Sequence, residues 1–205
     1  SQGIQTDYFK AKDIAIAGYF SYLLTDRISA GIAAKFITSY IGNYNSLGVG
    51  VDLGANYFNE ESELSISAVA KNLGGQLSAY NDEFESMPAD LQLGVTKRII
   101  GTPLRVSITA VDLTRWNYAL SRHLVFGADL LLSDQIYVSA GYNFRRAHEM
   151  KVATTDSFGE GATTTHGAGL SFGGGITLDS FSLGVSYAKY HVSSSSLMLN
   201  AAFTL

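Results

Sequence analysis

The chain of 205 residues contains no cysteine, which excludes disulfides, thiolate metal sites and thiol nucleophiles. Proline occurs only 2 times, and charge is scarce at 16%, against roughly 25% in an average soluble domain. Its 14 basic residues are outnumbered by 18 acidic ones, for a net charge of −4, so no broad basic face for nucleic acid is expected. No apolar run approaches the ~18 residues of a spanning helix, and no stretch shows a convincing 3.6-residue period. Neither an initiator Met nor a charged, apolar leader stands at Ser1. What the chain has in plenty is glycine, with 21 residues, and aromatics, with 12 tyrosines and 11 phenylalanines. Little charge, much glycine and no helical span point to sheet, including sheet in a membrane.

The strongest signal is alternation with period two, which puts successive side chains on opposite faces of a strand. Ile14, Ile16, Gly18, Phe20, Tyr22 and Leu24 share one parity, with Ala15, Ala17, Tyr19, Ser21 and Leu23 on the other. Ile28, Ile32, Ala34 and Phe36 oppose Ser29, Gly31, Ala33 and Lys35, and Leu47, Val49, Val51 and Leu53 oppose Gly48, Gly50, Asp52 and Gly54. The rhythm returns over Leu64–Lys71, Leu91–Ile99, Leu104–Asp112, Leu124–Leu132, Ile136–Phe144, Ala168–Leu178, Phe181–Lys189 and Leu197–Leu205. Eleven strands are expected, mostly near the 9–11 residues of a tilted membrane strand. The first, third, fifth, seventh and ninth connections are tight turns such as "TDR", "NEES", "IGTP" and "SDQ". Those between them, Ile41–Ser46, Asn72–Asp90, Leu113–His123, Arg145–Gly167 and Tyr190–Ser196, read as longer loops. Short turns at one end and long loops at the other is the asymmetry of an outer-membrane barrel.

Charge placement sharpens that expectation. A Lys or Arg facing lipid at mid-depth costs ~2–4 kcal/mol, so mid-strand charges belong on the small-residue parity. Lys35, Asp52 and Asp129 all fall there, while Lys97, Asp112 and Lys189, on the apolar parity, sit near strand ends. If the second hairpin pairs symmetrically about Ile41–Ser46, Lys35 and Asp52 lie directly opposite and form an inward ion pair. Inward positions are small, including Gly48, Gly50, Gly54, Gly94, Gly127, Gly141, Gly169, Gly173, Gly175 and Gly184. Since glycine weakens a strand unless something approaches closely, the lumen is expected to be narrow or occupied by chain. Tyr40, Tyr57, Trp116, Tyr118, Tyr142, Phe144, Phe181, Tyr187 and Tyr190 gather near strand ends, as girdle aromatics do. A single antiparallel transmembrane barrel domain over residues 1–205 is therefore expected, all-β, in the bacterial outer membrane, with long loops extracellular and the C-terminus periplasmic. Eleven is odd, and a closed barrel leaves no edge in lipid; further strands before Ser1 are expected.

The segments "AKNLGGQLSAYNDEFESMPADLQLGVTKRI", "TPLRVSITAVDLTRW", "RHLVFGADLLLSDQIYVSAGYNFRRAHEMK" and "FSLGVSYAKYHVSSSSLMLNAAFTL" resemble, in this order and spacing, the PorQ family of the type IX secretion system of Bacteroidetes. "NLGG" alone is shared more widely with FadL-like barrels. The resemblance covers nearly the whole chain and about the C-terminal two-thirds of a family member. It implies a fourteen-stranded FadL-like barrel with three strands ahead of Ser1. It also implies a surface attachment complex with PorV-like, PorU-like and PorZ-like components, the last held at the surface by the barrel. That complex removes the C-terminal signal of secreted cargo and joins the cargo to anionic lipopolysaccharide. It implies no catalytic residue and no cofactor.

His123, His148, His166 and His191 lie on the long-loop side at spacings that match no compact metal signature, and are expected to face solvent or a partner. Asp129 lies roughly 20 Å down its strand from His123 at ~3.4 Å per residue, too far for a catalytic pair. "SFGGGITLD" has no following Lys-Ser/Thr for a phosphate loop. Arg98 and Arg105 are expected opposite each other, inward and near the periplasmic mouth. Like charges so placed are destabilising and need neutralising by an absent segment, another strand's carboxylate or, as favoured, water. Arg115, Arg122 and Lys189 at the outer rim either stay solvated or meet lipopolysaccharide phosphates. The loop Asn72–Asp90 joins Tyr80, Phe84 and Met87 to Asp82, Glu83 and Glu85, a composition that suits either a protein-binding surface or a loop folded over the barrel mouth. Tyr80, Phe84, Met87, Trp116 and Tyr118 are the candidate partner-binding residues, and the Arg145–Gly167 loop reads as mobile. The function expected is a non-enzymatic anchor for a surface partner; the alternative is a FadL-like transporter of hydrophobic molecules, and a soluble β-sandwich stands third.

Overall fold

A computed structural model of the chain describes residues 11–41, 44–78, 87–150, 152–155, 161–164, 167–189 and 195–203. The strands are β1 Ala11–Thr25, β2 Ile28–Ile41, β3 Tyr44–Asn59, β4 Leu64–Ser78, β5 Asp90–Arg98, β6 Leu104–Ala110, β7 Leu124–Leu131 and β8 Ile136–Asn143. After helix α1 (Phe144–Glu149) come β9 Val152–Thr155, β10 Gly161–Thr164, β11 Leu170–Thr177, β12 Phe181–Lys189 and β13 Ser195–Phe203. Eleven of them form one sheet in the order β1-β2-β3-β4-β5-β6-β7-β8-β11-β12-β13, while β9 and β10 make a separate two-stranded sheet. Every neighbouring pair with a described register is antiparallel.

The expected strands are all present, and the turn chemistry explains why they stop where they do. Thr25 Oγ1 accepts from the backbone N–H groups of Arg27 and Ile28, and Asn59 Oδ1 from that of Ser62. Ser133 Oγ accepts from Gln135 and Ile136 in the same way. A short polar side chain thus replaces the ladder partner that the chain loses as it turns. The longer connections 111–123 and 144–169 stand where expected, but the expected loop Asn72–Asp90 shrinks to 79–89 because β4 runs on past Lys71 to Ser78, and the one between β2 and β3 is only positions 42–43. That shorter turn moves the register by two: Lys35 faces Gly50, and Asp52 faces Ala33. The connection after β8 contains regular structure in its described parts. It carries α1, capped by the Asn143 side chain accepting from the Arg146 N–H at 3.0 Å, and the β9–β10 hairpin.

The chain divides into two compact units, residues 1–57 with 68–91 and residues 58–67 with 92–205. Neither has an ordinary apolar core. Ala33, Ala147 and Ala168 are the buried hydrophobic residues among those described. In β5 the alternation runs inside-out: Leu91, Leu93 and Val95 are exposed while Gln92, Gly94, Thr96 and Arg98 are shielded. In β6, Val106 and Ile108 are exposed and Arg105, Ser107 and Thr109 shielded; in β8 the exposed residues are Ile136, Val138 and Ala140. Ile32, Ala34 and Phe36 of β2 repeat it, opposite a buried Ala33 and a shielded Lys35. Water as the sole solvent would select the reverse arrangement.

Candidate functional site

Three groups of polar side chains stand out on this scaffold. The first joins β2, β3 and β4 on their shielded face. Lys35 Nζ lies 2.6 Å from Asp52 Oδ2 and donates to Asn72 Oδ1 at 3.0 Å, while Asp52 Oδ1 accepts the Asn72 backbone N–H at 2.8 Å. The Lys–Asp pair is therefore diagonal, not directly opposed as the expected register required; the flexible lysine stem spans the two-residue offset. Asn72 sits in the left-handed region, φ 59°, which asparagine tolerates better than most residues. Two residues on, Gly74 packs so close to β3 that a Cβ would collide with the Val49 carbonyl oxygen. The "NLGG" sequence thus encodes a local irregularity that turns an Asn toward an ion pair and lets two backbones touch.

The same Asn72 ties down the following connection. Its Nδ2 donates to the Pro88 carbonyl at 3.3 Å, and the Met87 N–H donates to the Gly74 carbonyl at 3.2 Å. The Met87 side chain then lies across buried Gly48 and Gly50. A Cβ on Gly50 would stand 2.9 Å from Met87 Sδ, and one on Gly48 would stand 3.0 Å from its Cε. These two glycines are small because chain occupies the space above them. Met87, a candidate partner-binding residue, is instead folded onto the sheet. Tyr80 and Phe84 lie outside the described residues.

The second group lies at the short-turn end of the other unit. Arg98 and Arg105 are directly opposite across β5 and β6. Their neutralisation comes from carboxylates rather than the favoured water: Arg98 Nη1 is 3.4 Å from Glu63 Oε1 and Arg105 Nε is 2.8 Å from Asp129 Oδ2. Glu63 holds a left-handed backbone, φ 48°, in the turn leading into β4, and Asp129 faces Arg105 from β7. Sequence spacing placed the arginines; it gave no sign of Glu63, which needs the β4–β5 neighbourhood to reach them.

The third group fills the long-connection end. Asp112, again left-handed at φ 55°, pairs with Arg145 Nη1, whose Nε donates to Glu149 Oε1 at 2.7 Å. The Glu149 bond holds the Arg145 guanidinium above the ordinary arginine pKa, against the opposing effect of burial. Arg145 also stacks 4.5 Å above the Tyr118 ring centroid, a cation–π contact. His123 is 1% exposed, against the expectation that it faces solvent or a partner. Its Nδ1 donates to the Val111 carbonyl at 2.8 Å, and its buried Nε2 has no hydrogen-bond partner among the described residues. The rings of Trp116 and Tyr118 lie 6.0 and 6.2 Å from it. Tyr118 is thus spent on holding the connection, whereas Trp116 projects from it at 70% exposure. His148 meets Arg122 at 2.7 Å; His166 and His191 lie outside the described residues. Among the described residues no group of three or more potential metal ligands occurs.

No protein-family profile and no curated protein matches the chain. Among solved structures, the chain is similar to one from work on the mechanism of in-meso crystallization of membrane proteins. The identity is 10%, the coverage 96% of this chain and 83% of that one, and the TM-score 0.44. It is also similar to the Acinetobacter baumannii outer membrane protein Omp33 at 13% identity, with coverage of 96% and 97% and a TM-score of 0.39. Neither likeness assigns a family, and at these scores the reading of the chain rests on the polarity of its own sheet.

Proposed function

We infer that the chain is a non-enzymatic outer-membrane β-barrel protein whose exposed apolar parity contacts acyl chains. The observation that carries this is the inverted alternation: leucines, isoleucines and phenylalanines outside, and Lys35, Asp52, Arg105 and Asp129 on the shielded side. In water such a surface is an aggregation hazard; in a bilayer it is the satisfied state.

Within that class, the resemblance to the PorQ family supports a role as anchor in a type IX attachment complex. In this role the long connections hold a PorZ-like surface protein beside PorU-like and PorV-like components and lipopolysaccharide. The 111–123 connection suits it, because Arg145 and His123 tie down the segment from which exposed Trp116 projects, and aromatic anchors carry much of the energy of protein interfaces. A FadL-like transporter needs an open apolar path, and Met87 over Gly48 and Gly50 favours the anchor. The test is native co-purification in detergent followed by mass spectrometry. A surface partner retained by the parent and lost on Trp116→Ala or on deletion of residues 80–86, with the barrel still folded, is expected. Retention by both variants removes these connections from the role.

A further inference from the structure

The row Glu63, Arg98, Arg105, Asp129 crosses adjacent strands in the charge order acid, base, base, acid. Its two carboxylates flank it, and its two guanidiniums face each other in the middle, a placement that costs stability. Each guanidinium uses one nitrogen on its carboxylate: Nη1 of Arg98 and Nε of Arg105. No other acceptor among the described residues engages Arg98 Nε or Nη2, or either Nη of Arg105, and both side chains are 41% exposed. Both arginines line a cavity of about 400 Å³ together with Glu63, Ser65, Thr96, Phe58 and Leu131.

We propose that this cavity is a binding site for a phosphate monoester, seated between Arg98 and Arg105 at the short-turn end of the sheet. A dianion there restores alternating charge along the row. Its three terminal oxygens are enough to accept from an N–H pair on each guanidinium, which is the geometry arginine offers to phosphate. A single carboxylate carries half the charge and satisfies one fork only. The Thr96 hydroxyl stands in the same cavity as a further donor, and Glu63, at 3.4 Å the longer of the two carboxylate contacts, competes with the ligand for Arg98.

The experiment titrates the full chain, purified in detergent, with glycerol 3-phosphate by calorimetry. It then repeats the measurement in phosphatidylcholine nanodiscs with and without phosphatidic acid. Saturable binding is expected, weakened about tenfold or more by Arg98→Gln or Arg105→Gln, as loss of a charge-assisted hydrogen bond requires. Glu63→Gln should tighten it severalfold by removing the competitor. Lys97→Gln, a neighbouring cation on the opposite face, should leave it unchanged. Should the glutamine variants fail to fold, Arg98→Lys and Arg105→Lys keep the charge, lose the fork and are expected to show the same weakening. Phosphatidic acid displacing glycerol 3-phosphate assigns the site to a lipid headgroup; no displacement assigns it to a soluble monoester. No saturation with either probe, equal losses in Lys97→Gln, or tighter binding of succinate than of glycerol 3-phosphate overturns the proposal.

Discussion

The Lys35–Asp52–Asn72 group and the Glu63–Arg98–Arg105–Asp129 row hold the same kinds of side chain on the same kind of face, yet they are built to opposite ends. In the first, both Asp52 oxygens and the Lys35 ammonium are taken by protein partners, with side-chain exposures of only 15% and 19%. The third member, Asn72, is held in a backbone conformation few residues accept. In the second, each guanidinium touches one carboxylate, and among the described residues nothing else engages its remaining N–H groups. A polar group whose valences are all met inside the chain rigidifies it; one whose valences are left over is poised for something that is not part of the chain. The first group latches a connection over Gly48 and Gly50, and the second leaves a cavity.

Breaking the first group should therefore hurt far more than breaking the second. The largest effect belongs to Gly74→Val. Its Cβ meets the Val49 carbonyl, and because backbone cannot swing aside, a loss of about 3 kcal/mol, at the upper end for overpacking, is expected in thermal unfolding followed by heat-modified gel mobility. Parent-like stability would show that β3 and β4 do not approach as described. Asp52→Asn comes next, at about 2 kcal/mol. That is less than the ~3–5 kcal/mol for splitting a fully buried pair, because both side chains keep some exposure.

Asn72 separates conformation from hydrogen bonding. Asn72→Gly loses the contacts to Lys35 and Pro88 but keeps the left-handed backbone; Asn72→Ala loses both, and should be less stable by a further ~1 kcal/mol. In either variant Met87 should oxidise faster by peroxide footprinting, with exposed Met198 as the internal reference; an unchanged Met87 rate would mean that Asn72 does not hold the strap. The smallest effect is expected from Arg105→Gln, within about 1 kcal/mol. It breaks a partly exposed pair while relieving the repulsion from Arg98. A loss as large as that of Asp52→Asn would erase the distinction between the two regions.

Much of this was legible in the chain because period two and turn residues are local signals. Strand positions follow from alternation, and the pairing of Arg98 with Arg105 follows from a turn of known length. The second hairpin was misplaced for the complementary reason: "IGNYNS" contains enough polar residues for a loop, yet β2 and β3 run on until positions 42–43 alone connect them. Lys35 reaches Asp52 even so, since the error was even-numbered and kept both residues on one face. His123 was not legible as a buried group, because its burial depends on Trp116, Tyr118 and the Val111 carbonyl folding around it. Met87 over the two glycines was foreshadowed only as crowding, without the identity of what crowds. Helix α1 escaped notice because six residues are too few to establish a 3.6-residue period.

The central claim is that Leu93, Val95 and Ile108 meet lipid while Thr96 and Ser107 meet an enclosed aqueous side. The absence of cysteine makes single-site labelling clean. Spin labels placed one at a time at these five positions in a reconstituted bilayer should relax with membrane-dissolved oxygen at the first three and with a water-soluble nickel chelate at the last two. Equal responses on both parities, or the reverse pattern, would contradict the account.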